Sequence, residues 1–407
     1  MSLANFHALP TSVLQVSLAA VLSCGQSFRW STIPLGSDIP PTHEYRLCLK
    51  DRVVCLRQTP DTLYYRAVYP NPQPSQAQLV LRDEETVAWL RNYFQLGVDL
   101  QSLYNDWASR DHHFARLQHR FSGIRILRQD PWECLVSFIC SSNNNIPRIT
   151  KMVNSLCQEF SRPLLSLELP PTSSTAEMHA YHPFPPPSVL AVPEVITRLR
   201  SLKFGYRADF IQKTAEMLTD TYGTAAGEGS REPGELWLES LRSRSTEEAR
   251  EELLKFVGVG RKVADCVLLM SLDKKEVVPI DTHVHQLAVK YYGHKGSAKG
   301  KATMSPKLYD EVSSKFHNVW GEYAGWAHSV MFTSDLKSFS AYGLSTPSSN
   351  TMTSATENDV SAQSAAKRKR TGTASIEVPL QLPNQPLPTT DLIDTTKKRR
   401  RVAHVKA

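Results

Sequence analysis

The first hydrophobic pattern along the chain is typical of β-strands. Three short segments are rich in β-branched and aromatic residues and are separated by turn-like Lys-Asp and Pro-Asp pairs. They are residues 45–49, 52–58 and 62–69. Such segments predict an antiparallel meander. A helix is predicted after them, with its N-cap at Asp83 and its end at Gly97.

From about Asp99 onward the apolar residues recur at spacings of three and four, which is the pattern of amphipathic helices. Asp130, Pro131 and Glu133 form a helix-start signal, and the Asn cluster after Ser142 ends that helix. Further helices are predicted near residues 149–160, 193–199, 206–222, 234–243, 246–256, 286–292, 308–320 and 323–336. The proline-rich segment 170–187 predicts an exposed loop.

The helix predicted at residues 246–256 leads into a two-glycine turn and a second helix. Gly258 and Gly260 allow the backbone a positive φ or a close approach to a ligand. The following residues place Val263 and Val267 on one helical face. The first amides of that second helix have no intrahelical acceptor and lie at its positive end. The sequence therefore predicts a hairpin that binds a phosphate without reading a base.

Three side chains near this hairpin could carry chemistry. Lys262 lies in the first turn of the second helix, where a further positive charge is unfavourable and the free amine is favoured. Cys266 is four residues on and shares its face. Asp281 precedes the next predicted helix and is a candidate N-cap. These residues suit imine chemistry at a sugar. A surface lysine on a DNA-binding hairpin with an ordinary capping aspartate fits them equally well.

The composition changes beyond about Phe339, where small and polar residues replace the large apolar ones. Such a segment cannot bury enough surface to fold, so we predict a disordered tail. From Ala341 onward it contains ten Lys/Arg and five Asp/Glu, and so carries most of the chain's net charge of +7. Its basic blocks are KRKR, from Lys367 to Arg370, and KKRRR, from Lys397 to Arg401. A solvated tail is the plain interpretation, and two such blocks favour nuclear import.

Cysteine usage and hydropathy indicate the compartment. The seven cysteines form no CxxC pair, which favours free thiols in a reducing environment. No run of about 18 apolar residues predicts a membrane span. The first arginine is Arg29, which does not fit an arginine-rich transit peptide. We expect a nuclear protein without a membrane segment, with a mitochondrial pool left open.

Longer motifs carry a resemblance to a known family. VGVGRKVADC at the hairpin and VPIDTHVH downstream are accompanied by GQSFRW, RQDPWECLVSFICSSNNNI, GYRADF and GEYAGWAHSVMF. In this order, over roughly residues 1–340, they resemble the eukaryotic 8-oxoguanine DNA glycosylase/AP lyases of the helix–hairpin–helix superfamily, in a fungal-type form. The resemblance implies an α+β fold with an N-terminal antiparallel sheet domain (1–110), a mostly helical glycosylase domain (111–340) and a basic tail (341–407).

The resemblance also implies an activity. A bifunctional enzyme would remove 8-oxoguanine opposite cytosine from double-stranded DNA, with Lys262 forming a Schiff base, Asp281 stabilising positive charge and β-elimination cutting the 3′ side. It would be a monomer without a cofactor or catalytic metal, although hairpin carbonyls are candidate ligands for a structural cation. Two alternatives stay open, a monofunctional glycosylase for another damaged base and a non-enzymatic helix–hairpin–helix DNA-binding protein.

An enzyme that acts on a base within a duplex must flip that base into a pocket. By resemblance, Phe332 and Cys266 would sandwich the flipped base. The carbonyl of Gly25 would accept a hydrogen bond from the N–H at position 7, which 8-oxoguanine has and guanine lacks. From the residues alone, Phe332 is a core residue and Gly25 a turn glycine.

The resemblance assigns further residues to the rest of the DNA. Asn143 would fill the gap left by the flipped base, Arg148 and Arg207 would hold the orphaned cytosine, and Tyr206 would wedge the duplex. Taken alone, they are an Asn cluster and ordinary surface side chains. Gly258, Gly260, Val263 and His283 would lie at the DNA phosphate.

Two positions depart from the family pattern. Val257 stands where the family usually has a proline, which loosens the turn slightly. His328 stands where the family usually has a glutamine that reads the base edge. A neutral histidine has its donor and acceptor on opposite ring edges, and its charge can change between about pH 5 and 8. We expect activity to depend on pH in that window if His328 contacts the base.

Overall fold

The computed structural model describes Leu3 and residues 5–170, 177–224, 231–295 and 304–344. The described residues belong to one compact unit, which spans Met1–Thr346, and Pro347–Ala407 lie outside the described residues. The predicted disordered tail beyond residue 344, with both of its basic blocks, therefore lies outside the described residues. No helix in the described part of the chain is long and apolar enough to cross a membrane.

A five-stranded antiparallel sheet forms the N-terminal part, with strand order β1-β5-β4-β3-β2. Its strands are β1 (His7–Pro10), β2 (Ser31–Pro34), β3 (His43–Cys48), β4 (Val53–Gln58) and β5 (Thr62–Val68). The central three are the predicted meander, so that prediction is confirmed. The two edge strands, β1 and β2, were not predicted. Each has only four residues and ends in a proline, which edge strands tolerate.

Helices α1 (Leu18–Val21) and α2 (Gln76–Tyr93) accompany this sheet. Ser75 caps α2 in a capping box with Gln78, so the predicted N-cap at Asp83 is wrong. Asp83 lies within the helix, where its carboxylate accepts a hydrogen bond from the Tyr65 hydroxyl at 3.0 Å. The helix is longer at its start because the local Ser-x-x-Gln signal satisfies its first amides.

The remainder is helical, as predicted. Its helices are α3 (Leu100–Arg110), α4 (His112–Leu117), α5 (Pro131–Ser141), α6 (Ile146–Phe160), α7 (Pro187–Ala191), α8 (Glu194–Ser201), α9 (Arg207–Tyr222), α10 (Pro233–Ser240), α11 (Thr246–Leu254), α12 (Arg261–Ser271), α13 (Thr282–Tyr291), α14 (Pro306–Trp320) and α15 (Ala324–Asp335). With the antiparallel sheet before them, these helices confirm the α+β fold class.

A small hairpin corrects the prediction for residues 170–187. Strand β6 (Leu165–Glu168) pairs antiparallel with β7 (Met178–Tyr181), so part of the predicted loop is ordered. Tyr181 is buried against Cys48 and Cys55 of the main sheet, which gives this strand its anchor. Residues 171–176 lie outside the described part.

Helix α12 lies between two hydrophobic clusters and is therefore buried on most of its surface. Val263, Cys266 and Val267 belong to a cluster built mainly with α5, α6 and α9. Leu269 belongs to a second cluster that includes Ile280 and residues of α14 and α15. The helix that carries Lys262 is thus fixed from both sides.

Candidate active site

The hairpin between α11 and α12 has the predicted shape. Gly258 has φ +82°, and a Cβ there would lie 2.2 Å from the Phe210 ring, so only glycine fits. Gly260 is extended and exposed, and a Cβ on it would meet nothing within 4 Å. Of the two glycines, the first is required by the fold and the second leaves space for a ligand.

Gly260 is also the N-cap of α12, and it has no side chain to occupy the first amides. The first backbone bond of the helix runs from the Ala264 amide to the Gly260 carbonyl at 3.0 Å. Val263 has a buried side chain, so it can offer a phosphate only its amide. The first backbone amides of α12 are therefore free to donate to an anion at the positive end of the helix dipole.

Lys262 lies half-buried in the first turn of α12. Its Nζ donates to the Ser141 Oγ at 3.3 Å and lies 5.3 Å from the centre of the Phe138 ring. The Ser141 hydroxyl itself donates to the Phe138 carbonyl at 2.7 Å, which leaves its lone pair for the amine. Among the described residues no carboxylate lies within ion-pair distance of Lys262. The amine is thus held in place without a neutralising partner.

Asp281 is the N-cap of α13, as predicted. Its Oδ1 accepts hydrogen bonds from the amides of His283 and Val284, both at 3.0 Å. No protein donor in the described ranges bonds its Oδ2. One oxygen therefore holds the helix end, and the other is free to face a substrate.

Cys266 and His328 link the two candidate catalytic residues, because each experiences the charges of both. Burial raises the pKa of the Cys266 thiol to about 11, Lys262 opposes this rise, and Asp281 adds to it. The thiol is therefore neutral at physiological pH. A neutral, buried sulfur suits a stacking surface for a base rather than a nucleophile.

His328 is buried on α15, where its pKa does not favour the change of charge between pH 5 and 8 that is ordinary for histidine. Burial lowers its pKa to about 4, and Asp281 only partly opposes this shift. Its Nε2 has no hydrogen-bond partner among the described residues. The ring is therefore neutral at physiological pH and has an unused polar atom inside the site.

Phe332 follows one helical turn after His328 and is half-buried. Its ring lies 6.0 Å from that of His328 and 5.2 Å from that of His283, which meets it edge-on. The His283 Nε2 lies 3.4 Å from the Asp335 carboxylate. His283 thus borders the aromatic group, whereas His285, two residues on, is buried and faces His294 at 5.5 Å.

Gly25 lies on a loop against the start of α6. It has φ +90°, a backbone conformation that residues with a Cβ rarely adopt, and a Cβ would lie 2.7 Å from Ile146 Cδ1, which would have to move. The next residue, Gln26, is buried and donates to the Arg125 carbonyl at 3.0 Å and to the Ser329 Oγ at 3.2 Å. Gln26 therefore ties the Gly25 loop to α15, the helix of His328 and Phe332.

The residues expected at the opposite base also come together. Asn143 is exposed with φ +47°, and the Tyr206 hydroxyl donates to the Ser142 carbonyl at 3.1 Å. Arg207 is buried and donates to the carbonyls of Ser142 and Asn143. Arg148 is exposed and donates to the Lys203 carbonyl at 3.3 Å. The arginines thus lie at this corner but bind backbone carbonyls in the protein alone.

Similarity to known proteins shows the family to which the chain belongs. Residues 8–135 match the family described as 8-oxoguanine DNA glycosylase, N-terminal domain, and residues 136–308 match the HhH-GPD superfamily base excision DNA repair proteins. An N-glycosylase/DNA lyase of Saccharomyces cerevisiae is 35% identical over 82% of this chain and 86% of its own length. The chain belongs to the N-glycosylase/DNA lyase family. An Arabidopsis thaliana family member, N-glycosylase/DNA lyase OGG1, is 34% identical over 79% of this chain and 78% of its own.

A solved structure agrees with this assignment. The Clostridium acetobutylicum 8-oxoguanine glycosylase/lyase, in complex with double-stranded DNA containing cytosine opposite 8-oxoguanine, has a TM-score of 0.59 and 27% identity. The match covers 78% of this chain and 91% of that one. This member of the N-glycosylase/DNA lyase family is therefore a DNA-binding enzyme of base-excision repair.

Several residues of this family member's site were not found from the sequence. Ser141 and Phe138 contact Lys262 across a separation of more than 100 residues, and no local pattern pairs them. Asp265 and Tyr309 form a buried hydrogen bond beside the site, at 2.6 Å. Asp265 was detectable in principle, because a carboxylate within the apolar stripe of α12 requires a partner.

Proposed function

We propose that this enzyme excises 8-oxoguanine opposite cytosine and then cuts the strand through a Schiff base on Lys262. The observation that carries the proposal is the position of this lysine. Its amine lies in the first turn behind a phosphate-binding hairpin, without an ion-pair partner in the described chain and close enough to Asp281 for both to influence Cys266 and His328.

The chemistry starts at the amine of Lys262. Its lone pair attacks the anomeric carbon as the bond from that carbon to the base breaks, and the base leaves with the bonding electrons and gains a proton. The sugar ring then opens to an imine on Lys262. Loss of a proton from the neighbouring sugar carbon expels the 3′ phosphate. The free Oδ2 of Asp281 stabilises the positive charge that develops on the sugar.

Recognition of the oxidised base is assigned to the Gly25 carbonyl and to the stacking surfaces of Phe332 and Cys266. Guanine would place a lone pair against that carbonyl and leave two polar groups unpaired, which is a strong basis for rejection. The hydrogen bonds of Gln26 to the Arg125 carbonyl and the Ser329 hydroxyl support this role, because they fix the loop directly after Gly25.

Selection of cytosine as the opposite base is assigned to Arg148 and Arg207. Guanidinium donors match the acceptors of cytosine, whereas adenine presents an amino donor. The Clostridium acetobutylicum enzyme was solved with this base pair, which supports the same preference here. Both arginines must exchange their backbone carbonyl contacts for the base when DNA binds.

Neither of the two alternative functions requires both Lys262 and Asp281. A non-enzymatic hairpin protein needs the glycines of the hairpin but neither Lys262 nor a free Asp281 oxygen. A monofunctional glycosylase needs the aspartate but not the lysine. Lys262, which has no ion-pair partner among the described residues, therefore favours the bifunctional enzyme.

We further propose that the protein acts as a monomer in the nucleus and that the blocks at Lys367 to Arg370 and Lys397 to Arg401 bind the import machinery. A fluorescent fusion lacking both blocks should lose nuclear accumulation. An unchanged nuclear signal would contradict the role of the blocks, and a dimer mass in light scattering would contradict the monomer.

The activity is tested with duplexes that carry one 8-oxoguanine opposite each of the four bases. We expect strand cleavage without heat or alkali, fastest opposite cytosine, and none with guanine. Release of the base without any strand cut would favour the monofunctional alternative. Binding without release of the base would favour the non-enzymatic one.

A further inference from the structure

A buried hydroxyl group connects the two segments that carry the candidate catalytic residues. The Tyr309 hydroxyl on α14 donates to Asp265 Oδ2 at 2.6 Å and accepts from the Ile280 amide at 3.0 Å. Asp265 follows Lys262 by three residues on α12, and Ile280 directly precedes Asp281. One oxygen atom thus bridges the helix of Lys262 and the backbone of the residue before Asp281.

Further contacts hold Asp265 and Tyr309 in place. Asp265 is 2% exposed, and its second oxygen accepts from Arg250 Nε at 2.7 Å. The guanidinium of Arg261 lies 4.2 Å from the centre of the Tyr309 ring and pairs with Asp310 at 2.5 Å. The tyrosine therefore has no freedom to turn away, and the hydroxyl keeps both partners in one geometry.

We infer that Tyr309, held by Asp265, is a positioning residue that sets the distance between Lys262 and Asp281. This role rests on the proposed catalytic functions of those two residues. Asp281 is anchored through Oδ1 to its own helix, but the loop before it has to be fixed relative to α12 by something else. The Tyr309 hydroxyl supplies that link at the residue next to Asp281.

A buried polar network also stabilises a fold, so the test has to separate positioning from stability. Tyr104 provides a matched control. Its buried hydroxyl also accepts from one amide, of Ile124 at 3.2 Å, and lies within donating distance of the carbonyls of Phe121 at 2.8 Å and Ile124 at 3.1 Å. None of these partners belongs to α12 or to the segment around Asp281.

The experiment compares Tyr309→Phe with Tyr104→Phe and the wild-type protein. Single-turnover excision is measured at saturating enzyme on a duplex with 8-oxoguanine opposite cytosine, well below the melting temperatures. Affinity is measured on the same duplex with a tetrahydrofuran abasic analogue. We expect Tyr309→Phe to excise about 10- to 100-fold more slowly, as small misplacements of reacting groups do, with affinity within about twofold of wild type. Tyr104→Phe should keep the wild-type rate.

Asp265→Asn provides a second variant in case Tyr309→Phe does not fold. It should likewise excise 8-oxoguanine more slowly while its affinity for the duplex stays close to that of the wild-type protein. An unchanged rate in Tyr309→Phe, or an equal loss in Tyr104→Phe, would overturn the positioning role while leaving the proposed function intact. A wild-type protein that releases no 8-oxoguanine would instead refute the proposed function and, with it, this inference.

Discussion

Replacing Asp281 with Asn and with Ala separates its two roles. Both amides that it caps bind the same oxygen, Oδ1, at 3.0 Å. Asparagine keeps one oxygen acceptor of the same geometry, so Asp281→Asn should change the free energy of unfolding by less than about 0.5 kcal/mol. Asp281→Ala removes both bonds and should cost about 1–2 kcal/mol.

The effect on the rate follows from the other oxygen. Both variants lose the negative charge at Oδ2, which would stabilise the sugar cation, so both should excise 8-oxoguanine about 100- to 1,000-fold more slowly. Thermal unfolding and single-turnover excision on the same preparations measure the two effects. A near-normal rate in Asp281→Asn would show that the residue is a cap only. Equal destabilisation by Asn and Ala would refute the capping argument.

Three further predictions concern the surroundings of the site. The His328 pKa of about 4 lies below its ordinary value of 6.5, so the unfolded chain binds more protons between these pH values. The contribution of His328 to the free energy of unfolding should therefore be fully present above pH 6.5 and fall by up to about 3 kcal/mol as the pH drops to 4. His328→Gln should lose this pH dependence. Parallel plots of unfolding free energy against pH for the two proteins would contradict the prediction. Replacing Arg148 and Arg207 together with alanine should reduce the preference for cytosine over adenine by about 1–3 kcal/mol in relative excision rates, and an unaltered ratio would exclude them from that role. Gly258→Ala should destabilise the protein by at least about 1 kcal/mol, because its φ is +82° and its Cβ would overlap Phe210, whereas Gly260→Ala should melt normally. Equal melting temperatures for the two would contradict this account of the hairpin.

Local signals were sufficient for much of the fold. Asp130 with Pro131 and the cap at Asp281 are short-range patterns, and both helices begin where these patterns predict. The predicted cap at Asp83 was wrong because an equally local signal at Ser75 lies earlier in the chain. The start of the tail, near Phe339, was predicted from composition alone. Tyr342, just beyond it, packs on the body, with its hydroxyl 2.8 Å from the Ser17 Oγ.

The site was predictable only in part, since its chemistry depends on contacts between distant segments. The hairpin, Lys262 and Asp281 lie close together in sequence, so local patterns predict their positions. Their types and spacing suit both imine chemistry and an ordinary DNA-binding hairpin, and the resemblance to the family supplied the proposed roles. The environment of His328 does not follow from its neighbours in sequence. Its burial and its low pKa come from helices that meet only in the folded chain. The same is true of the Tyr309 hydroxyl, which lies 44 residues from Asp265 in the sequence.

The central claim is that Lys262 forms the covalent intermediate, and borohydride trapping on a duplex with 8-oxoguanine opposite cytosine tests it most directly. Lys255→Gln is the matched control, because Lys255 precedes the same hairpin but is exposed and paired with Glu252 at 2.7 Å. We expect wild-type protein and Lys255→Gln to form the trapped adduct. Lys262→Gln and Lys262→Ala should bind the duplex and form none. Undiminished trapping in either Lys262 variant would contradict the assignment of the nucleophile.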